Sequence, residues 1–348
     1  MQFDRRETVP LGLAVLAPIA AIAIALLLCT PLISWTGMPA FTAYGIMFTG
    51  ALGSPFAWSE TLSRATPLMF TGLGVAVAFR ARFWNIGAEG QFYLGAIAAT
   101  LLGTGLLNLP AIILLPLIFM AGFLFGGTLL LLPAILKTRI QVDEVVTTLL
   151  LNFIVLLVVS YLVEGPLKDP AALGWPQALP VPPEATLPKL GGRAHWGLMI
   201  AIASAILIWI LNARAVLGYQ MKAIGANIQA ALFAGIPINW VLLLTALLSG
   251  GLAGMGGVSE VSGLKGYLSL DLSPGFGYTG IVVAMLAQLH PIGVLISAIF
   301  IAAIYVGADA MSRAANLPSY LADVIVSTSL LCMLVSILLT RYRVRWRS

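Results

Sequence analysis

About ten stretches of this chain are apolar over nearly the length needed to cross a lipid bilayer, and this recurrence limits the fold more than any single motif. A β-barrel would instead show shorter segments of alternating polarity. Charged residues make up only 9% of the chain, whereas soluble domains carry about 25%. We therefore predict an all-α integral membrane protein with about ten transmembrane helices in a single domain, 1–348. The predicted spans are 11–33, 64–80, 88–107, 110–136, 144–163, 195–213, 238–258, 276–289, 291–308 and 319–340.

The distribution of Lys and Arg predicts which connections face the cytoplasm. With the N-terminus inside, 12 of the 18 Lys and Arg fall on inner connections and 6 on outer ones, as the positive-inside rule expects. Both termini are then cytoplasmic in a cell (inner) membrane protein, and Arg5, Arg6 and Arg347 belong to the inner set. The first run is expected to be a retained helix, because it is long for a signal-peptide core and no A-x-A site follows.

The segment FRARFWNIGAEGQFYLG, 79–95, breaks the chain between two apolar runs. It places Asn85, Glu89 and Gln91 at the head of the second run, where a carboxylate costs a few kcal/mol. Irregular backbone at membrane depth is tolerated only where it faces protein or a cavity. We therefore interpret this segment as a wall of a transport pathway.

Two alternatives for Glu89 stay open on the sequence. It could pair with Arg80 or Arg82 at the membrane surface, or hold the turn through bonds from backbone N–H groups. Either alternative would give the carboxylate a structural role and none in transport.

A second break, SPGFGYTG at 273–280, opens the apolar run 281–289. Broken segments at corresponding positions in two halves of a transporter indicate a substrate site near the midplane. We therefore predict two weakly similar halves with broken helices. The predicted pathway residues are Trp84, Asn85, Glu89, Gln91, Phe276, Tyr278 and Thr279.

Three further segments have a recognisable character. SGGLAGMGG at 249–257 predicts close helix packing through small residues. The seven prolines of 164–193 predict an extended outer connection, either a docking site or a passive connector. The inner connection 212–236 predicts a short helix at 227–233 with Asn227 as its cap. A short helix at 42–52, lying at or partly within the membrane surface, is also expected.

The sequence lacks the motifs of several other protein classes. It has no P-loop, no H-E-x-x-H and no G-x-S-x-G, so it favours neither an ATPase nor a hydrolase. Cys29 and Cys332 offer no disulfide framework, and His195 and His290 are expected at helix ends near the interface. We predict no enzyme activity, no metal or cofactor on this chain, and no nucleic-acid partner; membrane lipid is the expected surroundings.

Four blocks resemble one family, the branched-chain amino acid/simple sugar permeases of ABC importers, and within it the nucleoside-importer branch. The blocks are FRARFWNIGAEGQFYLGA, KTRIQVDEVVTTLLLN, GYQMKAIGANIQAALFAGI and the stretch from SGGLAGMGG to QLHPIGV. Trp84 departs from the family, where phenylalanine is commoner. The resemblance implies a second, different permease subunit, two cytoplasmic ATPase subunits and an extracytoplasmic substrate-binding protein.

The resemblance also implies roles for residues. The inner connection matches the family's docking loop, and Ala231 is expected to face a groove on the ATPase. The implied coupling residues are Gly218, Tyr219, Gly225, Asn227, Ala230, Ala231 and Gly235. A nucleoside is the implied substrate, with a sugar or a branched-chain amino acid as the alternative. A rival from another class is an ion-coupled transporter that uses Glu89, Glu260, Asp309 and Asp323.

Overall fold

In a computed structural model the chain is described at residues 2–5, 10–106, 109–314 and 319–345, and it is mainly helical. The α-helices of this part are α1 Leu11–Trp35, α2 Ala40–Leu52, α3 Pro55–Arg80, α4 Ala88–Leu101, α5 Ala111–Ile140, α6 Glu144–Glu164, α7 Gly197–Arg214, α8 Val216–Ala226, α9 Ile228–Phe233, α10 Ile238–Glu260, α11 Phe276–Leu286, α12 Pro291–Ala314 and α13 Ser319–Arg341. Turns of π-helix, Leu102–Leu106 and Val261–Lys265, continue α4 and α10. The strands are β1 Gln2–Arg5, β2 Lys189–Gly191, β3 Ala194–His195 and β4 Tyr342–Arg345.

Every predicted apolar run contains a helix, so the all-α membrane class is confirmed. Seven of the helices in the described ranges are long and apolar enough to cross a bilayer, in segments 16–35, 55–80, 111–140, 144–164, 197–214, 238–265 and 291–314. The other predicted spans hold α4, α11 and α13, and α11 has only 11 residues. The count of ten and the two similar halves stay predictions.

The chain divides into two compact units, and the larger one is 62–298. Its centre is a set of glycine contacts among α4, α5 and α10. A methyl group on Gly254 would overlap the Gly122 carbonyl, and one on Gly95 would overlap the Gly254 carbonyl. The helix backbones therefore touch directly, and the small-residue packing predicted for 249–257 is confirmed.

The smaller unit comprises 1–61 and 299–348. Its terminal strands, β1 and β4, pair antiparallel with Phe3 opposite Val344. The helix predicted at 42–52 is confirmed as α2, which packs on α1 through a 2.5 Å hydrogen bond from the Tyr44 hydroxyl to the Leu26 carbonyl. Arg6 and Arg347, which enter the charge count, lie outside the described residues.

The proline-rich connection 164–193 is fixed along its length to the chain that follows α10. The amides of Ala178, Val181 and Leu187 donate to the carbonyls of Leu268, Gly266 and Ser262 at 2.7–2.8 Å. This pairing satisfies backbone groups that an extended proline-rich chain cannot pair internally. The connection is therefore an ordered cover over this end of the unit.

His195 lies under this cover, two residues before α7 begins. The ring is fully buried beside Gly197 and Gly263, where a methyl group on either glycine would overlap it. Burial lowers the pKa of His195 to about 4, so the ring is neutral near pH 7. His290, by contrast, is exposed as expected.

Candidate functional site

The first chain break lies against α3 and α10. After α3 ends at Arg80 the chain turns, and the Phe83 amide donates to the Ala78 carbonyl in the last turn of α3. Asn85 and Gly74 then meet the same neighbour, Ser249 of α10. Gly74 is six residues from the end of α3, which is about 9 Å at 1.5 Å per residue. The break therefore lies inside the bundle.

A reciprocal amide pair closes this break. The amide nitrogen of each of Asn85 and Gln91 donates to the side-chain oxygen of the other at 2.9 Å. The Asn85 oxygen also accepts from the Gly87 amide at 2.9 Å, just before α4 begins. Both side chains are buried, so each polar group has exchanged water for a protein partner.

Glu89 joins the first break to the second. Its Oε2 accepts a 2.6 Å hydrogen bond from the Gly277 amide in the first turn of α11, and it also hydrogen-bonds to the Ser273 side chain. A carboxylate at a helix N-terminus is stabilised by the unpaired N–H groups and the helix dipole. A methyl group on Gly277 would overlap the Glu89 backbone, so only glycine fits there. Glu89 is thus not in a surface pair with Arg80 or Arg82, and that alternative is wrong.

The start of α11 also contacts α3 near the middle of that helix. The Thr71 hydroxyl donates to the Phe276 carbonyl at 3.0 Å. Because Thr71 is nine residues from Arg80, α11 begins about 14 Å inside the end of α3. Phe276 packs on Phe92 of α4, with ring centroids 5.9 Å apart. The two broken segments found in the sequence therefore meet in one place, which we call the junction: residues 81–91 and 273–279.

Three residues that the sequence analysis did not assign support the junction from outside. Asn152 of α6 accepts from the Gly90 amide at 2.8 Å and donates to the Ile86 carbonyl and the Tyr278 hydroxyl. Glu144 accepts from the Trp84 amide at 3.2 Å and pairs with Lys137, whose ammonium lies over the Phe83 ring. The sequence signal that could have identified Asn152 and Glu144 is a single amide or acid at or within an apolar run.

The predicted pathway residues divide by exposure. Asn85, Glu89, Gln91, Phe276 and Thr279 are at most 4% exposed. They meet at the junction but present no open surface in this arrangement of the chain. Trp84 is 44% exposed and Tyr278 37%, so these two aromatic side chains are its accessible faces. The role of all seven in a substrate path stays a prediction.

The inner connection contains two helices where one was predicted. Asn227 caps α9 as expected, since its side chain accepts from the Gln229 and Ala230 amides. Gly218 and Gly225 lie within the first of these helices, α8. A methyl group on Gly218 would overlap the Leu211 carbonyl, and one on Gly225 the Arg80 carbonyl. These two glycines are therefore close-packing positions.

The orientation expected for Ala231 is also wrong. Ala231 is 2% exposed and faces into the chain, where the Ile236 amide donates to its carbonyl. The exposed large apolar residues of α9 are Ile228, at 48%, Leu232, at 59%, and Phe233, at 92%. Tyr219 of α8 is exposed as well, at 69%, and Gly235 has a positive φ of 75°.

The acids of the ion-coupled rival are divided between the two units. Glu89 and Glu260 are buried in the larger unit, whereas Asp309 and Asp323 belong to the smaller one. Within the described ranges, no group of three His, Cys, Asp or Glu could hold a metal ion. The arrangement offers hydrogen-bonded helix starts and aromatic faces, which suit passage of a polar solute.

Similar proteins of known class are also transport proteins. A family model described as branched-chain amino acid transport system / permease component matches residues 57–334. A glucose ABC transporter permease protein of Haloferax volcanii is 34% identical over 99% of this chain and 93% of its own length. A guanosine ABC transporter permease protein of Bacillus subtilis is 30% identical, covering 91% of this chain and 92% of its own. A nucleoside ABC transporter permease protein of Lactococcus lactis is 30% identical over 86% and 85%. The chain therefore belongs to the family of membrane permease components of ABC transporters.

Proposed function

We propose that this chain forms the translocation path for nucleosides in an ATP-driven importer, with its polar junction on that path. The junction carries the proposal, because two helices begin there at membrane depth, joined by Glu89 and the Gly277 amide. Helix starts within the membrane are where transporters hold polar solutes. Trp84 and Tyr278 offer aromatic faces to a purine or pyrimidine base, and amides nearby suit its hydroxyls.

The nucleoside assignment is supported by the guanosine and nucleoside permeases among the relatives. Glucose is the second candidate, because the glucose permease is similar over a larger share of the chain. Uptake of labelled guanosine and labelled glucose by cells that make the whole importer separates the two. Guanosine uptake that excess unlabelled glucose leaves unchanged supports the nucleoside path, and the reverse pattern overturns it.

A permease without a P-loop needs an ATPase on another chain. We propose two such subunits, a second and different permease, and an extracytoplasmic substrate-binding protein as the partners. The exposed apolar surface of α9, Leu232 and Phe233, is the proposed contact with an ATPase subunit, beside Ala230. Gly218, Gly225 and Ala231 hold α8 and α9 in place behind that surface.

We further propose ten spans with both termini cytoplasmic. Pairing of β1 with β4 supports this, because strands on the same side of the membrane require an even number of crossings. Seven spans alone would leave the two termini on opposite sides of the membrane. We therefore assign α4, α11 and α13 as the three further spans that make ten. Cysteines at Thr186 and Gln229, both exposed, should react with an impermeant thiol reagent from opposite sides. The neighbouring residue Ala185 is not a suitable labelling position, because it is buried. Reaction of both cysteines from one side contradicts the topology.

A further inference from the structure

A cavity of about 430 Å³ lies where α3, α7 and α8 end or begin. Three cationic side chains line it, Arg80, Arg214 and Lys222, together with Asn212, Gly218 and Tyr219, and no carboxylate is among its lining residues. We call it the basic cavity. Its volume falls within the range of roughly 300–1,000 Å³ that is typical of small-molecule sites. Arg214 and Lys222 are exposed, and Arg80 is partly buried.

The cations of the basic cavity have no anionic partner in the described part of the chain. Arg80 is partly buried, and its Nε has neither solvent nor a hydrogen-bond partner. Removing a guanidinium N–H from water without a partner is costly. The missing partner is an acceptor that carries negative charge.

Two uncharged groups complete the same arrangement. The side-chain oxygen of Asn212 is buried without a partner, and rotation of that amide presents its NH₂ group instead. The N-terminus of α8, 11 residues long, has no side-chain cap, and Val216 and Gly218 of its first turn line the cavity. The first amides of a helix lack intrahelical acceptors and favour an anion.

The basic cavity is preformed. A methyl group on Gly218 would overlap the Leu211 carbonyl, and one on Gly225 would overlap the Arg80 carbonyl. These contacts fix α8 against α7 and α3, so the backbone that carries the three cations is held in place without a ligand. Two candidate membrane spans, 55–80 and 197–214, both end at this cavity. Ends of membrane-crossing helices lie near the depth of lipid headgroups, and we therefore infer that position for the cavity.

We propose that the basic cavity binds a phosphate group. Guanidinium and ammonium groups with helix amides are the donors that recognise phosphate oxygens. An anionic phospholipid headgroup and a soluble phosphate share this chemistry. A phospholipid headgroup would reach the cavity from the membrane at the ends of the two spans, and a soluble phosphate would reach it from the aqueous phase.

Binding of short-chain phosphatidylglycerol to the purified full-length chain in neutral detergent tests the proposal, with short-chain phosphatidylcholine and inorganic phosphate as separate probes. Arg214→Gln and Lys222→Gln each change an exposed residue, so folding should be preserved. Each should weaken phosphatidylglycerol binding about tenfold, the loss of one charge-assisted hydrogen bond. Arg80→Gln should do the same, but its partly buried position makes it the secondary variant. Arg139→Gln is the matched control, because Arg139 is an exposed cation in the last turn of α5 and lies outside the cavity.

Each outcome decides the proposal. Loss of phosphatidylglycerol binding in the cavity variants, with no competition from inorganic phosphate, assigns a lipid headgroup. Competition by inorganic phosphate in the parent, lost in the same variants, assigns a soluble phosphate. Unchanged binding in the Arg214→Gln/Lys222→Gln double variant overturns the proposal. An equal loss in Arg139→Gln also overturns it, since the binding would then follow surface charge alone.

Discussion

The junction and α9 both contain short helical segments next to glycines, but they bury opposite kinds of side chain. At the junction, the side chains of Asn85, Glu89 and Gln91 are buried, and each has a partner in the chain. On α9, apolar side chains are exposed, and Phe233 is 92% exposed. The junction is complete within one chain, whereas α9 leaves apolar area that a partner would cover. Substitutions at the junction should therefore disturb the fold first, and substitutions on α9 should disturb coupling first.

The largest effect is expected where the two breaks touch. Gly277→Ala places a methyl group into the Glu89 backbone and should destabilise the chain by about 1–3 kcal/mol. The midpoint of thermal unfolding and the amount of chain in the membrane measure this. Gly45→Ala is the control, because nothing lies within 4 Å of a methyl group there. Equal stability of the two variants would mean that the junction is loosely packed.

Two substitutions of Glu89 distinguish a structural role from a role in transport. Glu89→Leu leaves the Gly277 amide and the Ser273 side chain without this acceptor, at a cost of about 1–3 kcal/mol. Glu89→Gln keeps an acceptor oxygen but loses the charge, so the importer should assemble normally while uptake falls. Co-purification of the subunits and uptake are measured on the same cells. Normal uptake in Glu89→Gln would remove its charge from the mechanism, and failure to assemble would show that the charge is structural.

On α9 the expected effect is on coupling at unchanged stability. Phe233→Glu puts a charge on the proposed ATPase contact and should lower uptake and receptor-stimulated ATP hydrolysis together. Gln229→Glu is the matched control, being the same new charge on an exposed residue of the same helix. Full activity of Phe233→Glu would mean that α9 rests on lipid alone.

Ala231→Glu tests the buried side of α9. Because Ala231 is buried, the new carboxylate would be desolvated within the chain. Its amount in the membrane should fall together with transport, unlike Phe233→Glu. A normal amount of Ala231→Glu with lost coupling would restore the outward orientation that the resemblance implied.

The amide pair is tested by the coupling between two substitutions rather than by the size of either effect. Asn85→Ala and Gln91→Ala each remove one partner of a reciprocal pair, so the double variant should be less destabilised than the sum of the two. Coupling of about 0.5–3 kcal/mol is expected for residues in one network. Unfolding midpoints of the four chains give this value, and strict additivity would contradict a shared network.

The sequence was informative wherever the physics is local. Apolar runs located the helices, and the Asn227 cap and the two breaks were found because caps and turns depend on neighbouring residues. The contact of Glu89 with Gly277 spans 188 residues, and no local pattern predicts such a pairing. The side on which Ala231 lies depends on how α9 packs against the rest of its unit, which a six-residue helix does not encode. Asn152 carried a signal, as an amide within an apolar run, but its partners are more than 60 residues away.

Site-specific cross-linking tests the contrast between the two regions most directly. A photoreactive residue is placed at Phe233 and, in a second chain, at Tyr278, both within the assembled importer. The account predicts that position 233 cross-links to an ATPase subunit, and that position 278 cross-links to labelled guanosine during transport. Cross-links from position 233 to lipid alone, or from position 278 to lipid with none to guanosine, would contradict it.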